Sequence, residues 1–479
     1  MTRRTVRGSA VAIGALVAAP TFAVATFATD SVPKAAALAA ACVVAPFLAT
    51  TPIAAVAALA CVNVSGLSDS VPFAATSTLV VAYGAIAFLW YFGELRVRWS
   101  PVYLGAAVFV ATDLLSTIDA ASADASMSQI RSNLRDLLSF VAIVLLLTSL
   151  RRFRVVAWCC VLTMAALTGL TVVHEFLLHD HGDIFGLSGV VGGGLDTTTA
   201  RHLGPLSDPN FWARVVILSV PFALALAAFE RRWLRVVALA AAVSMGLGVV
   251  LTQSRGGMIG LGVAVVLFLL LAGRRYAWTL LLLPIVFNLL LVAPLTGPRL
   301  DTIVNADQNA SVDVSIQQRR IVSEIGVDLF EQHPILGIGV GNFPNAARDV
   351  APDISTQDST LLATHDLYLE RLAEGGIIGL AGWLVFVGTA LFALTRARVL
   401  FARARSRARS VEEWLAIGAF ASIVGWSAAS AFLHMAVFRS LLVVFAFAAA
   451  LDIAARTGDE RNLDPGSRVL AAPAPERAS

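Results

Sequence analysis

Three segments of this sequence combine residue types that could carry out chemistry on an anionic substrate. They are the turn from Ser254 to Gly257, the glycine-rich run from His333 to Phe343, and the segment from Thr364 to Glu370. Arginine guanidinium groups bind phosphates through paired hydrogen bonds, and histidine exchanges protons near neutral pH. Together these segments indicate proton transfer beside a bound phosphate.

Arg255 stands between two apolar runs that have almost no loop between them. A charge near hydrocarbon costs about 3 kcal/mol unless it is paired or wetted. Ser254 and Gly256 would place backbone N–H groups at the start of the next helix, where the helix dipole favours anions. Arg255 either grips a phosphate or diphosphate in this turn, or extends its side chain to lipid phosphates.

Arg201 precedes a second helix start, Asp208-Pro209-Asn210. Aspartate is a favoured N-cap residue and proline is favoured in the first helical turn. This segment is either a capped helix beside a solvated arginine or a further part of the anion site, to which Asn210 contributes as a structural residue.

His365 lies where the chain returns to an apolar run, and Tyr368 follows three residues later. A helix capped by Thr364 or Asp366 would place His365 and Tyr368 on one face. The imidazole is then either a general base or a side chain that hydrogen-bonds at an interface. The two arginines on the same predicted side favour the base.

Glycines occupy alternate positions at Gly337, Gly339 and Gly341, and Glu374 precedes a further pair of glycines. Alternate glycines permit tight turns or close backbone approach. The run is not a nucleotide-binding loop, because no Gly-Lys-Ser/Thr follows. We expect either a structural turn or a wall that shapes the substrate site. Glu374 is expected to join an ion-pair set that orients its helix.

Apolar residues at helical spacing predict an amphipathic helix over residues 316–332, with Arg319 and Arg320 in its first turns. These two arginines either anchor the helix at the membrane surface or contact the substrate. His434, followed by Arg439, lies in the turn between the last two apolar runs. It either contributes to the same pocket or forms a packed polar pair.

The elements that must position these residues are membrane helices. The chain has 479 residues, of which 58% are hydrophobic and 14% charged, and its mean hydropathy is +0.79. Apolar runs of about 20 residues recur and are continuous rather than alternating, which predicts an all-α polytopic membrane protein. We expect about 12 to 14 spans, near 8–29, 34–48, 51–66, 74–92, 101–117, 132–150, 154–177, 206–228, 233–252, 256–272, 275–295, 374–395, 412–432 and 436–455. The pair 34–48 and 51–66 could form a re-entrant hairpin.

Arginine-rich short loops stay in the cytoplasm, and here they alternate consistently along the spans. Both termini are then cytoplasmic, and the candidate residues lie on the extracytoplasmic face of the plasma membrane. We expect one integral domain over 1–455, with a long extracytoplasmic loop at 296–373 that contains short helices, and a disordered cytoplasmic tail at 456–479. The first apolar run is a membrane span rather than a cleaved signal peptide.

The sequence offers no set of residues with metal-ligand spacing, apart from a weak grouping of His174, His179 and His181. We therefore predict no metal and no cofactor. The four cysteines fall in apolar runs, which speaks against a loop disulfide. Nothing indicates a nucleic-acid partner.

The order of these motifs resembles the O-antigen ligase and O-antigen polymerase superfamily. The resemblance rests on Ser254-Arg255-Gly256-Gly257, on His333-Pro334 followed by Gly337, Gly339 and Gly341, and on His365, Tyr368, Glu374 and Gly376. Arg201 to Asn210 is similar to an earlier outer-face motif of that family. The resemblance covers residues 200–395.

The resemblance implies a metal-independent glycosyltransferase that takes a glycan from a polyprenyl-diphosphate carrier and transfers it to a glycan or lipid acceptor, or polymerises it. By position, Arg201 and Arg255 would bind the diphosphate and His365 would deprotonate the acceptor hydroxyl. Arg319 or Arg320 would be a loop contact. The family usually has asparagine after the histidine, whereas Asp366 follows here and would either raise the pKa of His365 or orient its ring.

Two other classes of membrane protein compete with this interpretation. A transporter or flippase of lipid-linked saccharides tends to show inverted repeats and helices broken at the midplane. The chain shows no repeat, and its polar residues collect at one face. A membrane acyltransferase would require His and Asp within a buried channel. Neither the sugar, the acceptor nor the oligomeric state follows from the sequence.

Overall fold

A computed structural model describes residues 44–67, 74–178, 183–192, 200–273, 276, 314–350, 364–404, 408–433 and 439–463, besides three residues near the N-terminus. The predicted span at 8–29, residues 34–43 of the second predicted span and residues 277–295 of the span at 275–295 lie outside this described part. So do residues 296–313 and 351–363 of the predicted loop and the tail from residue 464. The total of 12 to 14 spans therefore stays a prediction.

The described part is almost entirely helical, which confirms the all-α membrane class. The first five helices are α1 (Pro52–Val64), α2 (Ala74–Tyr91), α3 (Pro101–Leu115), α4 (Ala123–Leu150) and α5 (Phe153–Val173), the last continued by a π-helical turn at His174–Leu178. A small antiparallel pair follows, β1 (Gly189–Gly192) and β2 (Ala200–Gly204).

Eight further helices complete the described chain. They are α6 (Pro209–Phe229), α7 (Arg232–Leu251), α8 (Arg255–Ala272), α9 (Val314–Gln332), α10 (Phe343–Val350), α11 (Leu367–Arg403), α12 (Val411–Ala429) and α13 (Arg439–Leu463). A 3-10 turn at Ser430–Phe432 extends α12. Nine of the helices in the described residues are long and apolar enough to cross a membrane, and α1 and α3 are shorter apolar helices.

In the described part, most predicted spans match these helices. α4 begins at Ala123, before the span predicted at 132–150, and α11 runs from Leu367 to Arg403 around the span predicted at 374–395, with a break in its backbone at Gly376. The added first residues of both helices include charged side chains, so a hydropathy argument does not include them. The helix predicted over 316–332 is confirmed as α9.

α9 packs against protein rather than only against a membrane surface. Its buried residues Val322 and Ile325 form an apolar cluster with Phe343, Ala347 and Ala373. The amphipathic pattern that predicted a helix at the membrane surface is thus partly explained by packing on α10 and α11.

The core is built around α6, which packs against α7, α8 and α12, while α11 packs against α3, α12 and α13. The predicted arginine-rich ends of the helices meet one another. Arg154 binds Glu230, with 2.6 Å between Nε and Oε1, and Arg396 binds Asp452 through two bonds of 2.7 Å. These contacts hold the helices together at one end of the bundle. The candidate residues lie at the opposite end.

A buried ion pair joins α11 to α3. Arg371 is 3% exposed and its Nη2 donates to Oδ1 of Asp113, which is 1% exposed. The second carboxylate oxygen of Asp113 accepts a hydrogen bond of 2.9 Å from Asn133, and the Arg371 guanidinium lies 5.2 Å from the Phe109 ring centre. A charge at such depth is stable only when the protein supplies its partner.

Replacement of Arg371 by leucine is expected to lower the free energy of unfolding by about 3 to 5 kcal/mol, because it leaves the Asp113 carboxylate buried without its counter-ion. The exposed pair of Arg320 and Glu324 supplies the control, since Arg320→Ala should cost less than about 1 kcal/mol. Unfolding of the purified protein in detergent measures both. Equal losses in the two variants would contradict the buried-pair argument.

Candidate functional site

Arg201 connects the first two predicted motifs through hydrogen bonds. Its Nε donates to the carbonyl oxygen of Thr252 at 3.1 Å, and its Nη2 donates to Oδ1 of Asn210 at 3.2 Å. Gln253 reinforces the junction, because its Nε2 donates to the carbonyl of Ala200 at 3.2 Å. The strand that carries Arg201 therefore lies directly against the turn that precedes Arg255.

The strand pair is itself held to the end of α5 by two buried histidines. His202 Nε2 lies 2.8 Å from a carboxylate oxygen of Glu175, and His174 Nδ1 lies 3.0 Å from the hydroxyl of Ser188. In the described residues no group of three His, Cys, Asp or Glu side chains could hold a metal ion. His179 and His181 lie outside those residues. The described histidines position β2, which in turn positions Arg201.

Two capped helix starts lie at this end of the bundle, and the cap at Asp208 follows the sequence prediction. Asp208 caps α6 and accepts from the backbone N–H of Asn210 at 2.6 Å. Ser254 caps α8 and accepts from Gly257 N–H at 3.1 Å. Arg255 is then the first residue of α8 and is partly buried. Its backbone lies at the positive end of the helix dipole.

Gly256 allows the 3-10 turn after α12 to lie against the start of α8. A Cβ atom at this position would stand 2.7 Å from Cβ of Phe432. This residue, predicted as structural, therefore sets how closely Phe432 can approach the helix turn that begins with Arg255.

Arg214 is a charged residue of this region that the sequence analysis missed. It is fully buried in α6, its Nη1 donates to the Ser430 hydroxyl at 3.2 Å, and its guanidinium lies 4.7 Å from the Trp426 ring centre. It also interacts electrostatically with the carboxylate of Glu370 on α11. An arginine inside an apolar run is a signal that could have found it.

His365 adopts a left-handed backbone conformation, with φ of +52°, immediately before α11. The prediction that His365 and Tyr368 share a helical face was wrong, because the helix begins only at Leu367 and Asp366 is its cap. Asp366 Oδ1 accepts from the N–H groups of Tyr368 and Leu369, at 2.8 and 3.3 Å. His365 therefore lies immediately before the cap residue of α11, and it is partly buried.

Tyr368 connects the segment that contains His365 to α12. Its hydroxyl donates to the carbonyl of Ser427 at 2.8 Å. One turn further, Ser430 binds Arg214 and Phe432 covers Gly256. The end of α12 is thus the common support of the His365 segment, through Tyr368, and of the Arg255 turn, through Phe432.

The glycine-rich segment packs into the protein as a structural junction. Gly337, Gly339 and Gly341 all have positive φ, between +68° and +91°. Their backbone meets α11 at a bend, where Gly339 N–H donates to the carbonyl of Glu374 at 2.9 Å and Glu374 Oε1 accepts from Phe343 N–H at 3.0 Å. Of the two sequence alternatives, these contacts agree with the structural turn.

The remaining candidates lie apart from this convergence or outside the described residues. Arg320 is 80% exposed at its side chain and pairs with Glu324, 3.0 Å away on the same helix. Only the backbone of Arg319 is described, and His434 lies outside the described residues. Arg439 binds Asp136 at 2.7 Å, as the packed-pair alternative for that turn implies.

Comparison with known proteins agrees with the resemblance seen in the motifs. Residues 240–384 match the profile of the O-antigen ligase family. This segment contains Arg255, the glycine-rich run and His365, whereas Arg201 precedes it. A search of the curated proteins finds no match. With its candidate membrane-spanning helices, the chain is a multi-pass membrane protein in which residues 240–384 are similar to the O-antigen ligase family.

Proposed function

We propose that this protein transfers or polymerises glycan from a polyprenyl-diphosphate carrier at the extracytoplasmic face of the membrane. The reaction needs no metal. Arg201 and Arg255 bind the diphosphate, and His365 deprotonates the acceptor hydroxyl. The acceptor is a glycan or a lipid. The family match over residues 240–384 supports the class of reaction.

The chemistry of a glycosyl diphosphate requires little more than these groups. The diphosphate is already a good leaving group, so the protein has to neutralise the charge that develops on it and remove a proton from the attacking hydroxyl. The acceptor oxygen attacks the anomeric carbon as the carbon–oxygen bond to the diphosphate breaks. Direct attack inverts the configuration at that carbon.

The observation that carries the proposal is the hydrogen bond from Arg201 to the Thr252 carbonyl. It brings an arginine from before α6 to the turn that leads into Arg255, although the two arginines are 54 positions apart in sequence. Two arginines beside the same turn between helices supply the positive charge that a diphosphate requires. Tyr368 and Arg214 reach the same α12 end from other elements.

The remaining candidate residues have supporting roles in the proposal. Tyr368 lines the approach to His365, and Arg319, Arg320 and His434 are contacts of the substrate or its lipid. The α9 segment and the glycine-rich junction would limit entry of water, which favours transfer over hydrolysis.

Replacement of His365 is expected to lower the rate of glycan transfer by about 10²- to 10⁴-fold, the usual contribution of a general base. Because His365 has positive φ, the informative variants are His365→Asn and His365→Gly, which tolerate that conformation. Complementation of a strain that lacks the gene, with lipid-linked glycan and product quantified, measures transfer. Arg255→Ala should abolish transfer as well.

His333→Ala is the matched control, because this exposed histidine lies at the end of α9. It should keep transfer near the level of the unaltered protein. Normal transfer by His365→Asn or His365→Gly would remove the proposed base. Failure of these variants to reach the membrane would instead assign the loss to folding, so their amount in the membrane is quantified in parallel.

Transfer by the purified protein in vesicles is expected to continue unchanged in a chelator of divalent cations. The physical reason is that guanidinium groups, rather than a metal ion, neutralise the leaving diphosphate. Released polyprenyl diphosphate reports the rate. Loss of transfer that a divalent ion restores would overturn the metal-independent mechanism.

The orientation has a direct test in intact cells. A single cysteine at His333 should react with a membrane-impermeant maleimide added from outside, whereas a single cysteine at Arg152, at the arginine-rich end, should react only after permeabilisation. Both positions are exposed in the fold, so accessibility depends on the side of the membrane. The reverse pattern would place the candidate site in the cytoplasm and refute the proposal.

A further inference from the structure

The arginine-rich end of the bundle contains a cavity that the proposed reaction does not use. Its volume is about 920 Å³, and it lies between the end of α6, the start of α7, the end of α8 and the start of α12. Its polar lining consists mainly of Arg231, Arg232, Arg235 and Arg409, and Trp233 and Trp414 supply aromatic walls.

Two of these arginines stabilise the ends of helices. Arg409 donates to the carbonyl of Ala272 at 2.8 Å and pairs with Glu413 at 3.1 Å. Arg235 Nε donates to the carbonyls of Ala227 and Glu230, at 3.1 and 3.0 Å. Both close the C-terminal ends of helices, where cations are favoured.

Glu230 is the carboxylate among the described residues that line the cavity, and an arginine outside the cavity neutralises it. Glu230 is 4% exposed and receives bidentate hydrogen bonds of 2.6 and 2.8 Å from Arg154, together with the indole N–H of Trp158 at 3.0 Å. It therefore contributes little negative charge to the cavity, which keeps a net positive charge from its arginines.

Arg231 and Arg232 supply most of that available charge. Both side chains are exposed, and among the residues that the structure describes neither has an ion-pair partner. Arg231 precedes α7 without capping it through its side chain. The two guanidinium groups lie next to each other in sequence at the rim of the cavity, and a phosphate bound there would meet both.

An exposed apolar stripe continues from this cavity along α7. Trp233, Val236, Leu239 and Val243 are 68%, 65%, 45% and 62% exposed, and their spacing of three and four residues places them on one helical face. Trp233 belongs both to this stripe and to the cavity lining. In a membrane the stripe faces acyl chains, and the tryptophan lies near the headgroups.

We propose that this cavity binds the phosphodiester headgroup of an anionic phospholipid, whose acyl chains lie along the stripe of α7. Cationic pockets between helix ends bind such headgroups through the charge of their arginines. A free phosphate would satisfy the arginines, but only a lipid also uses the apolar stripe that begins at Trp233. The site is separate from the proposed transfer chemistry, at the opposite ends of α6 and α8.

Binding is tested with the purified full-length protein in uncharged detergent, titrated with phosphatidylglycerol or phosphatidylcholine and followed by native mass spectrometry. Phosphatidylglycerol should bind in preference. The double variant Arg231→Gln/Arg232→Gln should weaken its binding about 25-fold, about fivefold for each arginine. The charge-preserving variant Arg231→Lys/Arg232→Lys should keep most of it and shows that the turn still folds.

The matched control is Arg96→Gln/Arg98→Gln, which removes the same charge from exposed positions outside the cavity. It should change binding less than about twofold. Equal weakening in both double variants, or equal binding of the two lipids by the unaltered protein, would overturn the proposal. Competition by glycerol phosphate at concentrations equal to the lipid would assign the cavity to a free phosphate instead, and would equally overturn it.

Discussion

The structure depends on one constraint: a charged group inside an apolar helix bundle is stable only when the protein itself supplies its partner. Arg371 meets this constraint with Asp113, and Arg214 meets it with the Ser430 hydroxyl and the Trp426 ring. Each partner comes from a distant part of the chain. These buried contacts therefore determine which helices lie side by side, and so where α11 and α6 present their outer ends.

The candidate site follows from that arrangement. The end of α12 receives Tyr368 from α11, Arg214 from α6 and the start of α8 at Gly256. The glycine-rich junction holds the bend of α11 through Glu374, one turn from Arg371. The side chains proposed to act on the substrate are thus positioned by contacts between helix ends that come from separate parts of the chain.

Arginines have different roles at the two ends of the bundle. At the candidate site, Arg201 is held by hydrogen bonds to Asn210 and to a backbone carbonyl, so that its position is defined. At the opposite end, Arg154 and Arg396 form bidentate pairs with buried carboxylates, while Arg231 and Arg232 lie exposed beside a cavity. Arginine is suited to both tasks because its planar group forms several hydrogen bonds and remains charged.

Local chemistry in the sequence predicted the membrane class, the approximate spans, a helix over 316–332 that the structure has at 314–332, the cap at Asp208 and, as one of two alternatives, the cap at Asp366. Hydropathy, helical periodicity and capping depend on neighbouring residues, so they can be read without a fold. The motif order also sufficed to recognise the superfamily. Only the tertiary structure decided that His365 precedes its helix in a left-handed conformation, that Arg201 binds the Thr252 carbonyl, and that Arg214 belongs to the region. The physical reason is that these features come from packing and hydrogen bonds between segments far apart in the chain, whose geometry no local pattern encodes.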